Sequence, residues 1–399
     1  MQNAVSVPSS RRFSIWLSFF GFMLVGISSG VSGPILPSLG AYYHVGDATI
    51  GLLLLVSPFA YFLSSLSSGL LIEKFGLRWL LLMGTAIFIL GFAGFGLRLP
   101  FLWLFAARLC IGLGAGIIET GFNIYISTQP RQETLLNNLH AFFGVGSLLG
   151  PLLVSALLTL LWDWNIAYLF LVVLCLPLAL GLGPLFSVPA NIQDTQRDEP
   201  ARKEGIFGAT LKLPVVWIAT LFLLVYVGVE TCAGSWGYTF LLNERAQSPL
   251  IAGWIVSGYW LGLTLGRFFL QRQAERMGIS STVLVYICLI CIVLSALLAW
   301  LVPSGISAAL AFCLMGLGVA PLYPLTVAIM PKLVPAHLAA SAISLLISVS
   351  IIGLGVFPWL AGLLAQAVGI WTLMPFIILL TLAMIILWRV LARHIASLA

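Results

Sequence analysis

The chain has 399 residues, of which 61% are hydrophobic and 8% are charged. A water-soluble fold of this size keeps roughly a quarter of its residues charged, so most of this surface is built to face lipid. The net charge of +6 follows from the one-sided placement of Lys and Arg described below, which leaves no support for a nucleic-acid-binding protein.

Apolar stretches of about 20 residues, enough to cross a ~30 Å hydrocarbon layer as helix, recur from Phe13 onward with short polar breaks. Backbone groups in lipid must be satisfied within the segment, so each stretch is read as a helix. The ~10-residue alternation of outer-membrane strands is absent. Spans are expected at residues 13–39, 48–72, 78–97, 101–127, 138–160, 165–186, 213–242, 249–270, 281–302, 306–330, 338–366 and 370–391. The first is too long for a signal-peptide core and carries no small-residue cleavage site, so it reads as a permanent span. The fold class is therefore an all-α membrane protein with twelve transmembrane helices.

An even number of spans puts both termini on one side. Arg11, Arg12, Lys74, Arg78, Arg131, Arg197, Arg202, Lys203, Lys212, Arg272, Arg276, Lys332, Arg389 and Arg393 then share that face, against Arg98 and Arg245 on the other. Positive charge marks the shared face as cytoplasmic. The expected location is the plasma (inner) membrane, with the bilayer as the surrounding partner. The six cysteines, Cys110, Cys175, Cys232, Cys288, Cys291 and Cys313, all fall inside apolar spans and read as packing thiols. Cys288 and Cys291 have metal-like spacing, but no nearby His completes a ligand set.

The longest polar break, Asn191 to Glu204, lies near the midpoint and holds clustered charge. It divides the chain into an N-terminal six-helix bundle (1–187), a cytoplasmic linker (188–211) and a C-terminal six-helix bundle (212–399). Repeated halves predict features recurring about 200 positions apart. Glu73, Lys74 and Gly76 after span 2 are matched by Glu275, Arg276 and Gly278 after span 8, an offset of 202. Gly112 and Gly114 in span 4 are matched by Gly316 and Gly318 in span 10, an offset of 204. Gly76 and Gly278 allow tight turns, and the acid and base beside each are placed to latch the cytoplasmic side.

Gly69, Glu73, Lys74, Gly76 and Arg78 at this spacing, with Arg108, Gly112 and Gly114 in span 4, resemble the signatures of the major facilitator superfamily. The resemblance implies two pseudo-symmetric six-helix bundles that carry a small solute by alternating access. Glu73 and Lys74 stand where the family usually has Asp and Arg, and Gln271 stands where its second half usually has Gly.

Ionisable residues within spans are costly and mark candidate sites. Arg108 and Glu119 lie in span 4, Glu230 in span 7 and His140 near the start of span 5. Arg108, Gly112, Ala115, Glu119 and Asn123 are spaced by three or four and form one helical stripe. Arg108 and Glu119 are about 16 Å apart along the axis and each needs another partner. A carboxyl group there can be neutral when dry and ionised when wet, which is what proton coupling requires. Glu119, Glu230 and Arg108 are the candidate coupling charges.

The run from Gly112 through Glu119, Asn123 and Tyr125, followed by Asn137, His140, Phe142, Gly146, Gly150 and Pro151, resembles a narrower branch of the family. That branch holds the fucose:proton symporters and the glucose and mannose carriers. It implies that Glu119 is the coupling acid. Span 1 departs from the fucose type, offering Ser28, Ser29 and Ser32 in place of an acid. Asn123, Tyr125, Asn137, Asn138, His140, Phe142, Trp236 and Tyr323 supply the amides and aromatic faces a sugar needs. Asn137 and Asn138 also fit as caps of span 5.

Pro321 and Pro324 interrupt span 10 and are candidates for gating, alongside the latch residues Glu73, Lys74, Arg78, Glu275 and Arg276. The expected activity is proton-coupled import of a hexose by a monomer, with H⁺ or Na⁺ as coupling ion and no other cofactor or metal. Gly146, Gly150 and Pro151 also resemble the span 5 motif of antiporters, so drug or metabolite efflux is the alternative. No Ser/His/Asp set, His cluster or phosphate-binding loop supports an enzyme.

Overall fold

The computed structural model describes residues 9–183, 186 and 206–398, and every regular element among them is helical. The first six helices are α1 (Ser9–Tyr43), α2 (Asp47–Phe75), α3 (Leu77–Gly96), α4 (Phe101–Ser127), α5 (Gln132–Thr159) and α6 (Asn165–Gly181). After α7 (Ile206–Leu211) come α8 (Pro214–Arg245), α9 (Pro249–Arg276), α10 (Ser281–Leu301), α11 (Gly305–Val319) and α12 (Leu322–Leu333). The last two are α13 (Ala339–Ala367) and α14 (Leu373–Leu398). Most of the expected linker 188–211 lies outside the described residues; its last six form α7.

Among the described residues, eleven helical stretches are long and apolar enough to cross a membrane, one of them running through α11 and α12. The expected span at 165–186 coincides with α6, an apolar helix of 17 residues. Helix α5 begins at Gln132, well before Asn137 and Asn138. Those two asparagines are therefore inside the helix, which corrects their reading as caps. The expected span at 306–330 is two helices, because Ala320 and Pro321 separate α11 from α12. Proline lacks the N–H that would bond back along the helix.

The chain forms two compact units. The first comprises residues 1–29, 59–147 and 165–200, and the second residues 30–58, 148–164 and 201–399. In the first unit, small residues let helices meet backbone to backbone. A Cβ on Gly114 of α4 would lie 2.7–2.8 Å from the Cβ, Cα and N of Phe88 on α3, and one on Gly91 of α3 would lie 2.8 Å from the Ala107 carbonyl. Gly26 of α1 meets the Phe143 carbonyl, and Gly146 of α5 meets that of Met23.

In the second unit, Gly318 of α11 approaches the Cys288 carbonyl and Ile292 of α10, repeating the Gly114 contact 204 positions on. Gly353 of α13 meets the Leu224 carbonyl of α8. The later part of α1 and the start of α2 belong to this unit too. Gly33 sits against the Gly234 carbonyl, Gly51 against the Trp359 backbone, and the Gln366 side chain accepts the Ala48 N–H at 2.9 Å. The turn glycines expected from the repeat are confirmed: Gly76 and Gly278 take φ values of 80° and 70°.

Candidate functional site

Two acids mark candidate sites, one within each unit. Glu119 lies about two turns from the Ser127 end of α4. Its carboxylate accepts a hydrogen bond of 2.8 Å from the Tyr61 hydroxyl of α2. That contact is possible because Gly116, one turn earlier, lets α4 press against the Tyr61 carbonyl and the Ser64 hydroxyl. Among the described residues Glu119 forms no ion pair; its hydrogen-bond partner is a neutral phenol. The group can therefore gain or lose a proton without stranding a neighbouring charge.

Glu230 lies halfway along the 32-residue α8. One carboxylate oxygen, Oε2, accepts the Tyr226 hydroxyl one turn earlier and faces Arg267 Nη2 of α9 at 3.5 Å. The Tyr259 hydroxyl donates to the Glu230 backbone carbonyl at 2.9 Å, fixing α9 against α8. The Tyr323 ring stands 6.2 Å from that of Tyr226. Glu230 therefore faces a cation, a partner that Glu119 lacks among the described residues.

Arg108 is half-buried on α4, within electrostatic reach of Tyr168 on α6. Asn123 is half-buried on the Glu119 stripe, whereas Tyr125 is fully buried with its ring 4.9 Å from Phe186. Asn137, Asn138 and His140 are exposed, His140 lying edge-on to Phe22 at 5.4 Å. Phe142 stacks on Phe19 at 5.1 Å. Trp236 is completely buried, and its indole N–H donates to the Pro358 carbonyl at 2.8 Å, so its polar atom already has a partner.

Glu73, Lys74, Glu275 and Arg276 are exposed, and among the described residues none forms an ion pair. Lys74 lies over the Phe75 ring, and Glu275 accepts from Gln271 one turn back. Arg78 Nε donates to the Leu182 carbonyl at 3.1 Å, tying the start of α3 to the end of α6. Pro321 caps α12 and Pro324 lies in its first turn.

Sequence reasoning missed Arg267 and Tyr61. Arg267 lies inside the expected span 249–270, set apart from Gln271 by Phe268, Phe269 and Leu270, so its signal was that of an ionisable residue within a span. Tyr61 left no such signal, since a lone Tyr in an apolar span fits packing as well as a site.

Similar proteins extend the comparison. The sequence pattern of the Major Facilitator Superfamily matches residues 18–245 and 231–397. Bypass of stop codon protein 6 of Saccharomyces cerevisiae is 24% identical over 382 residues, 88% of this chain and 76% of that protein. The glucose/mannose transporter GlcP of Bacillus subtilis is 24% identical over 316 residues, 77% of each chain. The multi-drug resistance efflux pump PmrA homolog of Lactococcus lactis is 24% identical over 335 residues, 81% of this chain and 80% of that protein.

Among solved structures, the nucleoside transporter NupG superposes with a TM-score of 0.80 at 15% identity, covering 97% of this chain and 100% of that one. The transporter FucP, in its outward conformation, superposes with a TM-score of 0.61 at 19% identity, covering 96% and 99%. At such identities these structures establish the fold. With a family pattern spanning nearly the whole chain and a matching all-helical architecture, the chain belongs to the Major Facilitator Superfamily and is a membrane transporter rather than an enzyme.

Proposed function

We propose that this transporter imports a hexose together with a proton by alternating access, with Glu119 carrying the proton. The observation that carries this reading is the Tyr61–Glu119 contact: a carboxyl group inside a span, hydrogen-bonded to a neutral partner and held by no cation among the described residues. Arg267 gives Glu230 the opposite setting, so Glu230 is assigned to the solute and not to the proton. Arg108 keeps a structural tie to α6. The sugar class is supported by the similarity to GlcP and by the polar and aromatic residues around both acids.

In this reading α6 is the twelfth span, the halves are two six-helix bundles, and the Lys- and Arg-rich side with both termini is cytoplasmic in the plasma membrane. The protein acts as a monomer. Packing of α1 and α2 on α8 and α13 through Gly33, Gly51 and Gln366 serves as the outer seal. The interruption at Pro321 gives α11 and α12 the freedom to move as the inner side opens.

Purified protein in liposomes is expected to accumulate radiolabelled hexose when the outside is acidic, and not when Na⁺ replaces the proton gradient. Accumulation that follows Na⁺ and ignores pH refutes the coupling assignment. A second reading, proton-coupled efflux, is favoured by the similarity to the PmrA homolog and by the tight crossing of Gly146 on α1. It predicts that a deletion strain changes drug tolerance while growing normally on sugars.

A further inference from the structure

Arg267 and Glu230 meet in a way that does not suit a purely structural ion pair. A guanidinium engages a carboxylate best through two parallel hydrogen bonds near 2.8 Å. Here one nitrogen, Nη2, faces one oxygen, Oε2, at 3.5 Å, which is the outer limit of a hydrogen bond. Oε2 is also occupied by the Tyr226 hydroxyl, while Oε1 accepts no hydrogen bond among the described residues. The Arg267 side chain is 38% exposed and that of Glu230 18%. Charges at this depth are not placed against hydrocarbon, so the open edge of the pair faces water.

The surroundings hold the pair in place without closing it. Tyr259 anchors the Glu230 carbonyl from α9, and Tyr226 fixes the carboxylate from one turn earlier on α8. What is left is a rigid row of one unused acceptor, Oε1, and the remaining guanidinium N–H donors. Beside it stand the Tyr226 and Tyr323 rings, 6.2 Å apart, as aromatic surface.

We propose that Glu230 and Arg267 are the solute-recognising pair of this transporter, binding neighbouring hydroxyls of an uncharged polyhydroxyl solute, with Glu230 setting its charge selectivity. The proposal rests on the sugar reading above and names the residues that would read the sugar. A hydroxyl both donates to Oε1 and accepts from the guanidinium, so a neighbouring pair of hydroxyls satisfies both groups at once. The two charges cancel, so a neutral solute binds without leaving either unpaired. An anionic sugar would have to displace Glu230 from Arg267, and the Glu230 charge excludes it.

The test compares dissociation constants for neutral hexoses and the matching hexuronates in purified wild type, E230Q, R267Q and R267K. Wild type is expected to prefer the hexose. E230Q, which frees the cation, should move that preference about tenfold or more toward the hexuronate. R267Q should weaken hexose binding about tenfold without gaining the hexuronate. R267K keeps the charge and loses the fork, so it should weaken the hexose while leaving the order of preference intact. Thermal unfolding of each variant separates folding loss from binding loss, and the two Arg267 variants carry the test if E230Q does not fold. Hexose binding by wild type, with the same preference and affinity in all folded variants as in wild type, overturns the pair alone. Wild type binding no hexose overturns the sugar reading and the proposal with it.

Discussion

Glu119 and Glu230 are both carboxylates placed inside spans, both receive a tyrosine hydroxyl, and both sit near a glycine that admits a neighbouring helix. They differ in one partner. Glu230 faces Arg267, whereas Glu119 has only Tyr61 among the described residues. A carboxylate opposite a cation has its charge balanced within the pair. One opposite a phenol has no such partner. In the proposed function, similar residues on similar helices take two tasks, one to exchange a proton and one to hold a solute.

The largest effect that sharpens this contrast is expected from E119Q. A proton moving with a neutral solute down a one-unit pH gradient supports about tenfold accumulation, since each factor of ten corresponds to about 1.4 kcal/mol. E119Q should lose that accumulation completely while keeping exchange of labelled for unlabelled hexose at zero gradient. R267Q should leave accumulation driven by pH at saturating hexose, although its affinity falls. Accumulation lost equally in both variants would erase the distinction between the two acids.

A smaller effect is expected from the glycines that admit the partners. A Cβ on Gly116 would lie 2.7 Å from the Tyr61 carbonyl, a backbone atom that moves only with its helix. The Cβ on Gly228 would meet the Phe357 ring, which can turn aside. G116A should therefore disturb coupling and lower stability by about 1–3 kcal/mol, while G228A lowers stability less and leaves coupling intact. Thermal unfolding and pH-driven uptake measured side by side would show the order.

The smallest effects are expected from Y61F and Q366A. Removing the Tyr61 hydroxyl deletes one hydrogen bond to Glu119, worth about 1 kcal/mol, so uptake should fall by less than about tenfold and stay pH-driven. Q366A removes the side chain that accepts the Ala48 N–H at 2.9 Å. It should loosen the seal, seen as faster thiol labelling of a cysteine introduced at Gly46, with hexose affinity changed only slightly.

The fold was legible because lipid imposes few solutions. Apolar length alone placed most helices, and the turn glycines at 76 and 278 carried a conformational demand that the backbone meets. The ends of helices were less legible: α5 begins at Gln132, since polar residues extend a helix beyond the hydrocarbon without an apolar signal. In the site, a charge inside an apolar run singled out Glu119 and Glu230. Their partners differ in this respect. Arg267 carried the same signal inside the expected span 249–270, whereas Tyr61 was hidden by the ordinariness of a Tyr in a span. Trp236 shows the converse, an aromatic that reads as a sugar platform while its N–H is held by Pro358.

The division of labour between the two acids is tested most directly by proton movement itself. Protein is reconstituted in liposomes that enclose a pH-sensitive dye, with no initial gradient, and a saturating pulse of hexose is added outside. Wild type and E230Q are expected to acidify the lumen as sugar enters, and E119Q to exchange sugar without any change in pH. Acidification that persists in E119Q, or that vanishes in E230Q while sugar still enters, contradicts the assignment of the proton to Glu119.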